Sequence, residues 1–126
     1  MKELILLRHA KSNHDTLVDD IDRPLSVNGI MRIKKVVKKN HDFFKKTDII
    51  ISSPANRALH TAQLLSRELR YDYKKLMIDN KLYTFSSKNV IDYVHSLDNN
   101  LGKVVLVGHN PAFTNLANHF SKKKIL

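Results

Sequence analysis

The chain has no cysteine and no tryptophan, only three glycines and three prolines, and no long hydrophobic run. The missing cysteine excludes disulfide frameworks, thiolate-bound zinc, iron–sulfur clusters and a thiol nucleophile. So few glycines and prolines, beside a good share of branched aliphatics, argue against disorder and low-complexity linkers. The first aliphatic run, Leu4 to Leu7, is four residues long, whereas a signal peptide needs about 7–15 apolar residues and a membrane span about 20. The expectation is a cytoplasmic protein that does not engage the membrane. Acidic residues are scarce too: 12 Asp+Glu stand against 22 Lys+Arg, a formal charge of +10.

Such a charge raises the question of a polyanionic partner. The lysines come in pairs, Lys34-Lys35, Lys38-Lys39, Lys45-Lys46 and Lys74-Lys75, with a run at Lys122 to Lys124. No aromatic residues are interleaved with them as a nucleic-acid stacking platform would require. A solvated lysine face is therefore the favoured reading, and nucleic acid is disfavoured as a partner. Positive potential would still speed encounter with a phosphorylated one.

What is present fits one domain over residues 1–126. A chain of 126 residues buries roughly two-thirds of its unfolded surface, enough for a core without staples. Four short apolar runs, Leu4 to Leu7, Ile49 to Ile51, Leu76 to Ile78 and Val104 to Val107, are continuous rather than alternating. That pattern predicts strands covered on both faces. Between and after them lie helical periodicities through Ile30, Ile33 and Val37; Ala55, Ala58, Ala62, Leu65 and Leu69; Val90, Val94 and Leu97; and Ala112, Phe113, Leu116 and Phe120. The alternation predicts an α/β fold, a three-layer α/β/α arrangement around a mainly parallel sheet. Ser26, Ser53 before Pro54, and Asn110 before Pro111 are the expected helix caps.

Ligands in such sheets bind beyond the carboxyl ends of the strands. There the sequence sets Arg8-His9, Ser52-Ser53 with Arg57, and Gly108-His109-Asn110. Paired histidines suggest zinc, but the set lacks a carboxylate or thiolate, and guanidinium groups beside a dication would repel it. Two guanidiniums suit a dianionic phosphoryl group, each offering a planar fork of donors with a permanent charge. A neutral imidazole in that setting can attack phosphorus in line, giving a phosphohistidine that water hydrolyses. A second imidazole, protonated by the bound phosphate, would add a donor to its oxygens. Neither metal nor cofactor is called for.

Leu6-Leu7-Arg8-His9-Ala10 resembles the Arg-His-Gly signature of the histidine phosphatase superfamily, the phosphoglycerate-mutase-like group, with Ala for Gly. Ser52 to Ala62 looks like its second motif, and Val107-Gly108-His109-Asn110-Pro111 its third. The Arg-His-Ala-Lys start, Asp22-Arg23-Pro24-Leu25 leading to Asn28-Gly29, and the Gly-His-Asn-Pro turn resemble the small SixA-type phosphohistidine phosphatases. The resemblance implies that His9 is the nucleophile, that Arg8 and Arg57 hold the phosphate, and that His109 completes the pocket. Lys11 and Ser52 are further candidates for touching phosphate. It also implies a phosphorylated protein or a small phosphorylated molecule as substrate.

Two departures qualify the pattern. Larger members carry a carboxylic acid after the third strand that protonates an alkoxide leaving group, whereas Lys81-Leu82-Tyr83-Thr84-Phe85-Ser86 holds none. Losing a general acid costs about 10²–10⁴-fold, but imidazole, with a conjugate acid of pKa about 6.5, needs less help to leave. Phosphoramidates are thereby favoured over sugar phosphates, with Asp15 and Asp22 the remaining candidate donors. The chain also stops short of the family's last strands, which predicts a bare sheet edge that a second copy would cover. The expectation is a metal-independent phosphohistidine phosphatase. The alternatives are a small-molecule phosphomonoesterase and a module that binds phosphate or a polyanion without turnover.

Overall fold

The computed structural model describes residues 3–9 and 18–120. Four strands, β1 (Glu3–Arg8), β2 (Ile49–Ser52), β3 (Leu76–Ile78) and β4 (Lys103–Gly108), match the four apolar runs of the sequence. All pair in parallel, in the order β1-β4-β2-β3. Successive residues of a strand point to opposite faces, and here both faces are covered. Ile5, Leu7, Ile50, Val105 and Val107 pack against α1 (Val27–Lys39) and α3 (Asn56–Leu69). Leu6, Ile51, Val104 and Leu106 pack against α4 (Ser87–His95) and α5 (Ala112–His119). The α/β three-layer expectation therefore holds among the described residues, none of whose helices is long and apolar enough to cross a membrane.

Three details differ from expectation. A four-residue α2 (His41–Phe44) follows α1, too short for periodicity to reveal, and it drives Phe44 into the core. β3 does not have the two-sided cover its continuous run suggests: it lies at the sheet edge, leaving Met77 and Ile78 exposed. Ser53 does not cap α3, which starts at Asn56 with Ala55 in the N-cap position and no side-chain cap bond. Ser26 caps α1 as expected, its hydroxyl accepting from the Gly29 amide. Asn110 Oδ1 accepts from both the amide and the hydroxyl of Thr114 at the start of α5. The paired lysines of α1 are exposed.

Gly108, the last residue of β4, sets how closely α5 approaches the sheet. A Cβ there would lie 2.7 Å from Cζ of Phe113, a ring with no exposed surface. Overpacking of this kind costs about 1–3 kcal/mol. Gly108→Ala is therefore expected to lower the unfolding free energy by that much, read as a lower urea midpoint at unchanged m-value. A loss below about 0.5 kcal/mol, the range of ordinary surface substitutions, would contradict this packing.

Candidate active site

The strand register assembles the site. β1 pairs with β4 so that Arg8 sits opposite Gly108, and the amide of His9 donates to the Gly108 carbonyl at 3.2 Å. His9 and His109 consequently leave the sheet side by side, their ring centroids 5.2 Å apart. On the other side of β4, the Ser53 amide donates to the Val107 carbonyl at 2.9 Å, which brings Ser53 against His109. α3 then begins almost at once. The small buried Ala55 at its N-cap and Ala58 and Ala62 within it let it lie close on the sheet, so Arg57 in its first turn reaches inward and is only 1% exposed.

Arg57 Nε donates to Nε2 of His9 at 3.2 Å. A ring nitrogen that accepts carries no proton, so the neutral His9 ring holds its proton on Nδ1 and its lone pair on Nε2. A buried guanidinium needs a counter-charge, more so at the N-terminal, positive end of a helix whose first turn contains no acid. Asp20 supplies it. Its carboxylate Oδ2 lies 3.0 Å from Nη2 of Arg57, and its backbone carbonyl accepts from Nη1. Arg23 Nη1 holds Oδ1 at 3.0 Å, and the Tyr83 hydroxyl donates to Oδ2. The hydrogen bond from Tyr83, then the one from Arg57 and the charges of Arg57 and Arg23, hold the Asp20 carboxyl below the usual range against the opposing effect of burial. The same bond to Asp20 pushes the Tyr83 phenol up.

His109 is buried, with Nε2 2.8 Å from Ser53 Oγ and Nδ1 without a hydrogen-bond partner among the described residues. Burial first, then the neighbouring guanidinium of Arg57, pushes its pKa down to about 3. The ring is thus neutral in the unliganded site. Tyr83 and half-exposed Phe85 flank it, with ring centroids 5.5 and 5.7 Å from His109.

Of the residues predicted from the sequence, His9, Arg57 and His109 come together here. Arg8 ends β1 one residue before His9 and is exposed. Ser52 is buried and its hydroxyl donates to the Ser53 carbonyl, so it is Ser53, taken from the sequence as a cap, whose side chain meets His109. The Asp22 side chain is exposed, while its carbonyl accepts from Asn56 Nδ2 at 3.1 Å. Lys11 and Asp15 lie outside the described residues. Sequence reasoning missed Asp20 and Tyr83. Nothing local separates Asp20 from Asp19 or Asp22, but Tyr83 stands in the segment already singled out for lacking a carboxylate. No group of three or more His, Asp or Glu placed to hold a metal ion occurs among the described residues.

The sequence profile of the histidine phosphatase superfamily (branch 1) matches residues 4–82. No curated protein matches the sequence. Among solved structures, a proposed phosphohistidine phosphatase SixA from Agrobacterium tumefaciens is 27% identical, with a TM-score of 0.78 over 89% of this chain and 71% of that one. A protein histidine phosphatase SixA in complex with tungstate is 19% identical, with a TM-score of 0.80 over 97% of this chain and 78% of that one. A proposed α-ribazole-5′-P phosphatase from Escherichia coli is 17% identical, with a TM-score of 0.74 over 98% and 81%. At such identities the last two share the fold.

Proposed function

The chain belongs to the histidine phosphatase superfamily, branch 1, and from that premise we propose that it hydrolyses phosphohistidine on a phosphotransfer protein, through a phosphoryl group carried on His9 and without a metal ion. The observation that carries the reading is the bond from Arg57 Nε to His9 Nε2. It sets the nucleophilic lone pair and a permanent cation on the same side of one imidazole.

The entering phosphoryl group takes over the N–H of Arg57, which frees the Nε2 lone pair for attack. Nε2 forms a bond to phosphorus while the phosphorus–nitrogen bond of the substrate breaks in line, and the substrate imidazole departs with the electron pair and picks up a proton. Arg57 then faces the charge spread over the equatorial oxygens. Ser53 already accepts from the Ala55 amide and has its own hydroxyl proton to give to His109 Nε2. In that tautomer Nδ1 of His109 bears the ring proton and donates to a phosphoryl oxygen. Arg8 closes the cation set from the end of β1. Water in turn attacks the phosphorus on His9, restoring the free ring and releasing inorganic phosphate. Removing a single preorganised donor from such a site costs about 10²–10³ in turnover.

The leaving group decides the substrate class. The segment Lys81 to Ser86 brings the Tyr83 hydroxyl to the site rather than a carboxylic acid, and Tyr83 is a weakened acid because it donates to Asp20. An alkoxide would leave without adequate protonation, whereas an imidazole would not be held back. A phosphohistidine peptide or phosphoramidate is expected to be cleaved at least about 10²-fold faster than a sugar phosphate, at the same rate in excess chelator. Equal or reversed rates would favour a phosphomonoesterase, and loss of activity with chelator would overturn metal independence.

A further inference from the structure

Four of the five N–H groups of an arginine guanidinium lie in pairs along two edges, one shared by Nη1 and Nη2, the other by Nε and Nη2, and the fifth, on Nη1, points back toward Cδ. In Arg57 the two edges have different partners. The Nη1–Nη2 edge meets Asp20, whose backbone carbonyl takes Nη1 and whose carboxylate takes Nη2. The Nε–Nη2 edge faces His9. Asp20 thus engages Nη1 and Nη2, while Nε–H points to the nucleophile, where an entering phosphoryl group takes it over.

Asp20 is itself braced. It opens the short 3-10 turn Asp20–Asp22, which is tied to the first residue of α3 by the bond from Asn56 Nδ2 to the Asp22 carbonyl. Arg23 holds one carboxylate oxygen and Tyr83, from beyond β3, holds the other. Parts of the chain separated by up to 63 positions therefore converge on one carboxylate.

We infer that Asp20 is a positioning residue for phosphoryl transfer: it clamps the outer edge of Arg57, so that Nε and the remaining N–H of Nη2 are presented together to a phosphoryl group at His9. The inference rests on the functional reading above, in which Arg57 and His9 meet the same phosphoryl group. It is opposed by a simple rival with the reverse sign. If Asp20 instead occupied the phosphoryl position and had to leave, removing its charge would improve phosphate binding.

The test is phosphate affinity, measured by calorimetry or phosphorus NMR with inorganic phosphate, together with phosphoramidate kinetics, in the wild type and in Asp20→Asn, Asp20→Glu and Arg57→Lys. Asp20→Asn keeps the size of the side chain but cannot accept at both oxygens. It is expected to weaken phosphate about tenfold and to lower kcat/KM further, about 10²-fold, because the fork matters more in the transition state. Asp20→Glu keeps the charge and is expected to retain part of the affinity. In an Arg57→Lys background, where the fork is already gone, Asp20→Asn is expected to have almost no additional effect. That non-additivity separates a residue acting through Arg57 from one that merely supports the fold. Melting temperatures of the same variants identify any that are unfolded, in which case the Asp20→Glu comparison carries the test. Unchanged or tighter phosphate binding in Asp20→Asn, or the same loss in both backgrounds, would overturn the clamp while leaving the phosphatase reading intact. A wild-type protein that binds no phosphate would take both down.

Discussion

Alanine in place of His9 is expected to reduce phosphoramidate turnover by about 10³–10⁶-fold, the range seen when a covalent nucleophile is removed and only binding and electrostatic stabilisation remain. Among the described residues no neighbouring group is placed to take over. His109 is buried with Nε2 against Ser53 Oγ, and Tyr83 is bound to Asp20 with its phenol pushed toward the neutral form. Phosphate affinity should survive, because Arg57 stays on Asp20 and no longer shares its Nε–H with an imidazole. The variant should therefore behave as a phosphate-binding protein without turnover, a combination that steady-state kinetics and calorimetry reveal together. Residual activity within tenfold of wild type would mean that another group attacks phosphorus.

The second large effect is expected from Arg57→Lys. The charge is kept, but the planar fork that joins His9 and Asp20 is lost. An ammonium cannot present two parallel donors along an edge, and the N–H that fixes the His9 tautomer goes with the fork. A fall of about 10²–10³ in kcat/KM is expected, comparable to the loss of an oxyanion-stabilising donor. Since the folded protein buries this cation almost completely, a melting curve on the same sample shows whether the lysine is tolerated. A loss of less than about fivefold in a folded Arg57→Lys protein would show that charge alone suffices and that the fork is incidental.

Much of this arrangement is legible in the sequence because it follows from local pattern. Strands buried on both faces announce themselves as continuous aliphatic runs, and Leu4 to Leu7 and Val104 to Val107 fall inside β1 and β4. In a parallel sheet the residues just past the carboxyl ends of the strands share one edge, which is why the sequence alone groups His9, Arg57 and His109. Asp20 was not readable in that way. Its importance comes from a turn folding back onto α3 and from Tyr83 arriving from beyond β3, and neither contact leaves a periodic trace. Of the three nearby aspartates Asp19, Asp20 and Asp22, only the geometry selects the one that pairs with Arg57 and Arg23. Ser53 misleads for a related reason. A serine before proline has the form of a helix cap, but Pro54 and Ala55 precede the helix, and the hydroxyl turns to the Ala55 amide and to His109. Met77 and Ile78 read as core because an apolar run does not say which strand lies at the edge.

The central claim is that phosphate passes through His9. Rapid quenching of the protein during phosphoramidate turnover, followed by peptide mapping under alkaline conditions that preserve phosphohistidine, tests it directly. One phosphoryl group on the peptide carrying His9, absent from His9→Ala, is the result expected here; turnover with no labelled protein, or a label on any other residue, would contradict it.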